Sequence, residues 1–467
     1  MRKLVYLPIF VLLIAGCSQP NATNDNTQNN NVKIKNTFSE KIVYGQENAI
    51  EDMINDCEKR NGIFENCGSG CPKSAEVCAT VCVPICELSD QNKENNNDNP
   101  DENNENNGDD SNENNEKNLG TDNTQIGLNL PKNFTISEFA TNVDGARVLV
   151  GPDKLGNLWL SRTSEGIISN IQLSEEGEVE NISDIFTGLN EPHGLALAPS
   201  NRLTLYFAES DKVSKVELYT DASTQKLVDL PDGGKHFTRT LHFGPDNKLY
   251  VSIGSNCDTC VEEDERRAAV YVMNKDGSNF KKFADGLRNS VFLATDPIYG
   301  EIWATEMGRD HLGDNLPPDE VNILKEGENY GWPYCYGEKI RDEEFMPEEN
   351  FDCNSTVPSK VNLQAHSAPL GLAFVPEEGW PEEMALDLLI AYHGSWNRSE
   401  PTGYKIMRIK LDDQRKVTGR ENFISGWLKE NEDKLGRPVD LLIMPGGILY
   451  ITDDKKGVIY KVTYGNE

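Results

Sequence analysis

Phe243-Gly244-Pro245-Asp246-Asn247-Lys248-Leu249-Tyr250-Val251 combines a short apolar run, a turn and a second strand. Gly, Pro, Asp and Asn supply the backbone conformations that a tight turn needs, while β-branched and aromatic residues favour the flanking strands. Similar units recur at residues 149–160, 293–303 and 442–451. Irregular repetition of such a hairpin unit is typical of propeller blades.

The segment 127–467 is the part of the chain long enough to bury a large core. Blades of roughly 40–55 residues divide this segment into about six to eight repeats. We therefore predict an all-β fold, a six-bladed β-propeller. The sequence shows no long helical periodicity, and it lacks the alternating helices and Gly-rich loop that a Rossmann domain requires.

The N-terminus has the pattern of an export signal, which we assign to residues 1–16. Met1-Arg2-Lys3 precedes an apolar run too short to span a bilayer, and Gly16 precedes Cys17. Leu13-Ile14-Ala15-Gly16-Cys17 resembles a bacterial lipobox. That resemblance implies that Cys17 is lipidated and anchors the protein in the bacterial cell envelope outside the cytoplasm, at the outer membrane, in the periplasm or on the cell surface. The alternative is an ordinary signal peptide with an incidental cysteine.

Three more segments precede the propeller. Residues 17–39 are rich in Asn, Thr and Gln and predict a disordered tether, and the acidic, Asn-rich residues 89–126 predict an extended linker. The segment 40–88 resembles part of the trypsin-inhibitor-like module, and we expect a structural or docking role for it. Its cysteines predict a small disulfide-rich module whose pairing stays open. They are Cys57, Cys67, Cys71, Cys78, Cys82 and Cys86.

Composition constrains the partners and the compartment. The net charge of −32 argues against nucleic-acid binding, because phosphate binding needs clustered Lys and Arg. The 11 cysteines fit an oxidising compartment. We expect Cys257 and Cys260 to close a small disulfide loop, with a redox role as the alternative, and Cys335 and Cys353 to close another.

The six histidines all lie in the propeller segment. His193, His366 and His393 stand beside Gly, Ser or Pro, in the kind of loop that converges on the mouth of a propeller channel. His236 precedes a strand, and a histidine there suits general-base chemistry near neutral pH. We expect His242, which lies in the strand itself, to be structural.

Several separate motifs, in the right order, resemble the quinoprotein sugar dehydrogenases, and most closely their sorbosone and pyranose dehydrogenase branch. The resemblance covers about residues 135–465. It implies oxidation of a sugar or related alcohol with pyrroloquinoline quinone (PQQ) and Ca²⁺. Electrons would pass to an external acceptor, a cytochrome or a quinone. The motifs are 236–246, 286–289, 329–333, 393–398 with 403–405, and 436–438.

The same resemblance implies roles for individual residues. His236 resembles the general base, and Arg288 with Asn289 resembles the pair that contacts the quinone oxygens. Gly308 and Arg309 resemble the residues whose backbone carbonyls hold the catalytic Ca²⁺. The further expected positions are a structural Ca²⁺ site at Asp319, Glu320 and Tyr330, and cofactor contacts at Arg437, Arg398, Lys405, His193 and Arg147.

Two other functions stay open at this stage. A Ca²⁺-dependent propeller hydrolase of the lactonase type would hold a central Ca²⁺ with side chains and would gain nothing from Arg288 and Arg437 as anion contacts. A non-catalytic propeller that binds carbohydrate or protein would use the cysteine-rich module for docking. Lys235 also stands where glucose dehydrogenases carry an aspartate, so the resemblance does not extend to glucose as the substrate.

Overall fold

The computed structural model describes residues 126–465 and, for the backbone alone, 32–35, 40–43, 62–69 and 82–88. The predicted signal peptide, the lipidation site Cys17, the cysteine pairing in 40–88 and the acidic linker up to residue 125 lie outside the described residues. The N-terminal strands form one antiparallel sheet in the order β1-β2-β4-β3. They are β1 (Val32–Lys35), β2 (Glu40–Val43), β3 (Gly62–Ser69) and β4 (Cys82–Leu88).

Residues 126–465 form six four-stranded antiparallel sheets, which confirms the predicted all-β propeller. After β5 (Phe134–Thr141), the strands of blade I are β6 (Ala146–Val150), β7 (Leu158–Arg162), β8 (Ile167–Leu173) and β9 (Val179–Phe186). Those of blade II are β10 (Leu195–Leu197), β11 (Thr204–Ala208), β12 (Lys212–Glu217) and β13 (Gln225–Asp229). Those of blade III are β14 (Leu241–Phe243), β15 (Leu249–Ile253), β16 (Ala269–Met273) and β17 (Lys281–Asp285).

Blade IV carries a small hairpin inside its last connection. Its strands are β18 (Leu293–Thr295), β19 (Ile302–Glu306), β20 (Asp319–Leu324) and β23 (Val361–Leu363), and the hairpin is β21 (Cys335–Tyr336) with β22 (Ile340–Arg341). Blade V contains β24 (Pro369–Phe374), β25 (Leu388–Tyr392), β26 (Lys405–Leu411) and β27 (Val417–Ile424). Blade VI contains β28 (Pro438–Ile443), β29 (Leu449–Asp453) and β30 (Val458–Tyr464), followed by β5.

The helical turns of the described residues are short 3₁₀ segments in the connections. They are Thr163–Glu165, Cys353–Ser355 and Glu382–Met384. Among the described residues, no helix is long and apolar enough to cross a membrane.

The ring of blades closes through β5. This strand pairs antiparallel with β30, from Phe134 opposite Tyr464 to Thr141 opposite Val458. The first strand of the propeller therefore completes the blade whose other strands come last in the chain. Because the chain runs from β5 directly into β6 of blade I, blade I cannot separate from β28–β30 without breaking the ladder of backbone hydrogen bonds between β5 and β30.

The second strands of blades II to VI explain why the alternation of apolar and polar residues is weak in this sequence. Every residue of β11, β15, β19, β25 and β29 is buried. Each of these strands packs on both faces against neighbouring blades, so its sequence is an almost continuous apolar run. The first strands of all six blades surround a central cavity of about 270 Å³.

Both predicted disulfides of the propeller are present. Cys257 is bonded to Cys260 in the connection between β15 and β16, and Cys335 is bonded to Cys353 around the small hairpin.

A buried ion pair joins blades IV and V. Arg415 and Asp296 are 2% and 0% exposed and contact each other directly. Removing one partner of such a pair leaves an uncompensated charge in the interior. We predict that Asp296→Asn lowers the free energy of unfolding of the full chain by roughly 3–5 kcal/mol, measured by urea denaturation.

Asp184→Asn is the control, because Asp184 is 42% exposed and pairs with Arg162 at the surface. It should cost about 0–1 kcal/mol. Equal losses in the two variants would contradict a special contribution from the buried pair.

Candidate active site

Two kinds of connection reach the same face of the propeller. In an antiparallel four-stranded blade, the loop between the second and third strands and the crossover to the next blade lie at the same end. Most of the polar residues singled out in the sequence lie in these connections. The crossovers carry His193, His236, Arg288, His366 and Arg437, and the inner loops carry Ser255, Gly308, His393 and Asp454.

A cavity of about 290 Å³ opens between these loops. Seven of the residues expected from the sequence line it: Arg147, His236, Arg288, Asn289, Gly308, Asp319 and Arg437. Lys235, Asp310, His366, His393 and Trp396 also line it. Because the lining includes four Lys or Arg side chains and two Asp side chains, the cavity suits an anionic ligand.

His236 is held in one tautomer. Its Nδ1 lies 2.8 Å from the hydroxyl and 3.1 Å from the backbone oxygen of Ser255. The Ser255 hydroxyl donates its hydrogen to the carbonyl of Cys257 at 2.7 Å. Both oxygens therefore accept from Nδ1–H, and Nε2 keeps its lone pair. Burial, together with Arg288 and Lys235, lowers the pKa of His236 to about 3.

Arg288 is buried and almost fully hydrogen-bonded. Its Nε donates to the carbonyl of Asp258 at 3.0 Å, and its Nη1 donates to the carbonyl of Met307 at 3.2 Å. Its Nη2 contacts the carboxylates of Asp258 and Asp310 at 2.6 and 3.5 Å. A guanidinium held at so many points is already oriented before a ligand arrives.

Lys235 joins the same cluster. Its ammonium group lies 3.1 Å from Asp258 and 2.8 Å from Asp310. Burial alone would raise the pKa of Asp258, but Arg288 and the hydrogen bonds of the cluster hold that pKa well below its ordinary value. Two cations and two carboxylates therefore form one connected cluster, of which Lys235, Arg288 and Asp310 line the cavity.

A second charged group forms the opposite wall. Asp454 accepts from Arg147 at 2.7 Å and lies 2.9 Å from Nε2 of His393. Burial would raise the pKa of Asp454, but His393 and Arg147 lower it below its usual range. Arg437 donates to Nδ1 of His393 at 3.2 Å and to the hydroxyl of Tyr404 at 3.0 Å. Within residues 126–465, the guanidinium of Arg437 forms no ion pair with a carboxylate, and only its backbone N–H donates to Asp453.

Three residues expected at the cofactor do not line the cavity. His193 is fully buried behind Arg147, with its Nε2 3.5 Å from that guanidinium. Arg398 ties neighbouring loops together by donating to the carbonyls of Asp314 and Ala365. Lys405 is half-buried, with its ammonium 5.9 Å from the ring of Tyr392.

Asp319 contributes to the cavity a buried carboxylate that suits a hard cation. Asp319 is 1% exposed, and its carboxylate accepts from the backbone N–H groups of Gly308 at 2.9 Å and Ala368 at 3.0 Å. Burial raises the pKa of Asp319 to about 7. Within residues 126–465 no basic side chain forms an ion pair with it. Carboxylate oxygens are among the ligands that Ca²⁺ prefers.

A smaller cavity, of about 30 Å³, lies next to the first. Arg309, Glu320 and Tyr330, which were expected at metal sites, line it together with Glu306. Burial raises the pKa of Glu306 to about 8 and also raises that of Glu320. The two acids therefore share a space in which a cation would favour their ionised forms. Asp319 lines the first cavity instead, so the structural site expected from the sequence is divided between the two cavities.

Asp258, Asp310, Asp454 and Glu306 were missed by sequence reasoning. Asp258, Asp310 and Asp454 lie in loops between strands, and Glu306 is the last residue of β19. Their hydrogen-bond and ion-pair partners lie elsewhere in the chain, and Asp454 is 307 residues away from its partner Arg147. A carboxylate at the end of an apolar strand, as in Ile302–Glu306, is the signal that could have found Glu306.

The model of the TrAA12-like family matches residues 128–465. The chain belongs to this family. It is 38% identical over 220 residues to an uncharacterised protein of Borreliella burgdorferi, covering 47% of this chain and 58% of that one. It is 25% identical over 335 residues to the pyrroloquinoline quinone-dependent pyranose dehydrogenase of Coprinopsis cinerea, covering 61% and 43%. The chain thus spans less than two thirds of the length of either curated relative.

Among solved structures, the calcium structure of the Trichoderma reesei enzyme of carbohydrate-active family AA12 superimposes with a TM-score of 0.62 at 20% identity, over 74% of this chain and all of that one. Together with the family, these similarities confirm the resemblance drawn from the motifs. The fold is a β-propeller like that of PQQ-dependent sugar dehydrogenases.

The buried acids predict how stability depends on pH. An acid whose pKa is raised in the folded state makes that state bind more protons than the unfolded chain, so stability falls as pH rises from the ordinary pKa through the folded one. The folded pKa of Glu306 is about 8. We expect the melting temperature in EDTA to fall between pH 7 and about 8.5, and Glu306→Gln to reduce that fall.

The control for this measurement is Glu178→Gln, because Glu178 is 66% exposed. It should keep the pH dependence of the wild type. A Glu306→Gln chain with an unchanged slope above pH 7 would contradict the assignment, since depressed histidine pKa values act below that range.

Proposed function

We propose that this chain is a PQQ- and Ca²⁺-dependent dehydrogenase that oxidises a sugar or a related alcohol. The observation that carries the proposal is that His236, with Nε2 unprotonated, faces the same cationic cavity as Arg288 and Asn289. The similarity to a PQQ-dependent pyranose dehydrogenase supports the same reading.

The cavity fits the charges of the cofactor. PQQ carries three carboxylates. The guanidinium of Arg437 lines the cavity and, within residues 126–465, forms no ion pair with a carboxylate, so it can bind one of them. Arg147 lines the same side and could add a second cation. The oxygen donors that we propose for Ca²⁺ are the carboxylate of Asp319 and the backbone carbonyl of Gly308.

When bound, PQQ supplies the acceptor for two electrons as hydride, and Ca²⁺ supplies a Lewis acid. His236 Nε2 accepts the proton of the substrate hydroxyl while the hydrogen on the same carbon leaves as hydride, which turns a sugar hemiacetal into its lactone. Ser255 keeps the ring of His236 in the tautomer that this step needs. Arg288 offers a fixed positive charge beside the site where negative charge develops.

The low pKa of His236 has a consequence for the base. The imidazole is neutral over the whole range in which most enzymes are assayed, so it is available as a base without first losing a proton. With so low a pKa, His236 holds a proton only weakly. The carboxylates of Asp258 and Asp310 would compensate by stabilising the imidazolium once it forms.

The electrons then pass to an external acceptor, which we propose to be a cytochrome or a quinone. Cys260 is followed by Val261 and not by His, so this loop has no haem-attachment motif. We propose that the enzyme acts outside the cytoplasm, held at the cell envelope by a lipid on Cys17, as its N-terminal sequence predicts.

The base is tested by His236→Ala in the full chain. We expect PQQ binding to persist, because the guanidinium groups remain, and kcat to fall by roughly 10²–10⁴-fold, the usual contribution of a general base. PQQ binding is followed by absorbance, and turnover by bleaching of the bound quinone with a panel of aldoses.

His242→Gln is the matched control, because His242 is half-buried in β14 and bonds to Thr295 at 2.7 Å, outside the cavity. It should bind PQQ and turn over at close to the wild-type rate. Unchanged turnover in His236→Ala would contradict the assignment of His236 as the base. A wild type that does not bind PQQ would contradict the proposed function.

The metal is tested by Asp319→Asn. Loss of the carboxylate should weaken Ca²⁺ binding by on the order of 10-fold or more in calorimetric titration, because an amide offers one neutral oxygen in place of a charge. Asp440→Asn is the control, since Asp440 is another buried acid, with a pKa raised by burial to about 6, and lies in the central channel. Equal Ca²⁺ affinity in both variants would contradict a Ca²⁺ site at Asp319.

A further inference from the structure

The segment 255–260, whose last four residues are closed by the Cys257–Cys260 disulfide, contacts both of the residues proposed to do the chemistry. It follows β15 and stands between the crossover that carries His236 and the crossover that carries Arg288. None of the motifs shared with the dehydrogenases includes this loop.

Ser255, just before the disulfide, bridges the base and the arginine. Its backbone N–H donates to the carbonyl of Arg288 at 2.8 Å, and its own carbonyl accepts from the backbone N–H of His236 at 3.2 Å. Its hydroxyl accepts from Nδ1 of His236 and donates to Cys257. The carbonyl of Cys257 therefore fixes which way the hydroxyl points, and through it the tautomer of the base.

Asp258, inside the disulfide loop, holds the arginine and the lysine. Its carbonyl accepts from Nε of Arg288 at 3.0 Å and from the indole of Trp332 at 3.3 Å. Its carboxylate accepts from Nη2 of Arg288 at 2.6 Å, from Lys235 at 3.1 Å and from the backbone N–H of Asp310 at 3.1 Å. One residue thus fixes two of the donors of Arg288 with two different oxygens.

The disulfide is suited to a local task. Its cysteines are three positions apart, so it closes a very short loop and constrains the unfolded chain less than a longer loop would. What it does constrain is the backbone of Cys257 and Asp258, the residues that supply both carbonyls. Both cysteines are half-buried, whereas Cys335 of the other bond is 4% exposed.

We propose that the segment 255–260, closed by the Cys257–Cys260 disulfide, is the element that positions His236 and Arg288, with Ser255 and Asp258 as its positioning residues. Opening the disulfide releases the two carbonyls, so that the base loses its fixed tautomer and the guanidinium loses its orientation. Activity consequently depends on the oxidised state of this bond. The inference rests on the proposed dehydrogenase function.

The test compares the full-length wild type with two variants, Cys257→Ser/Cys260→Ser and Asp258→Asn. Calorimetry gives the Kd of PQQ for the apo protein, steady-state assays give kcat and KM, and circular dichroism shows that each variant is folded. Asp264→Asn is the control, because Asp264 lies in the same connection and pairs with Arg266 at 2.6 Å. It should leave all three constants unchanged.

We expect the double serine variant to bind PQQ several-fold more weakly and to lose on the order of 10-fold or more in kcat, with the sugar KM within about twofold. The Asp258→Asn variant distinguishes a misplaced Arg288 from the mere loss of the Asp258 charge. Removing a carboxylate beside an anion site would by itself tighten PQQ binding, although it would also lower kcat by removing a charge that stabilises the His236 imidazolium. Weaker PQQ binding by this variant therefore reports a misplaced Arg288.

Two outcomes separate the inference from the function on which it rests. A wild type that binds and reduces PQQ, together with a double serine variant that has the same Kd and kcat, overturns the positioning role alone. A wild type that does not bind PQQ overturns the proposed function and the inference with it. Reduction of the wild type by a phosphine, with mass mapping to show that Cys335–Cys353 stays intact, should reproduce the constants of the double serine variant.

Discussion

The antiparallel pairing of β5 with β30 is the constraint on which the rest of the molecule depends. It joins the two ends of the propeller segment and leaves the ring without a free edge at the seam. The candidate site is built across this seam, because Arg147 belongs to blade I and Asp454 to blade VI, and their side chains pair at 2.7 Å. Thr452 reinforces the junction by donating its hydroxyl hydrogen to the carbonyl of Arg147 at 2.7 Å.

The site is held by charges that the fold has partly removed from water. On one wall Lys235 and Arg288 share the carboxylates of Asp258 and Asp310, and on the other Arg147 and His393 share Asp454. Each pair loses hydration and regains part of it through fixed hydrogen bonds. Such groups need no further reorganisation when a charged ligand enters, which is the condition for electrostatic catalysis. The same burial lowers the pKa of His236, which therefore stays neutral, and raises the pKa of the Asp319 carboxyl.

Much of the fold was predictable from the sequence, because the hairpin unit at 243–251 is local and recurs along the chain. The site was predictable where a motif marked it, as at His236 and Arg288. It was not predictable where the cavity is held together by pairing between loops of different blades, as with Asp258 and Asp454. Arg398 shows the reverse case. It lies in a matching motif, yet its guanidinium is used to tie two loops together outside the cavity.

Lys235 illustrates how a departure from a motif is accommodated. Glucose dehydrogenases carry an acid at this position, and an acid here would face Asp258 and Asp310 with like charge. The lysine instead lies within 3.1 Å of both carboxylates, which leaves Arg288 fewer negative charges to neutralise by itself. Asp258 is available for this because it lies in the loop between Cys257 and Cys260. The changed residue and the disulfide loop therefore belong to one electrostatic unit, and replacing Lys235 by an acid would require a change in the loop as well.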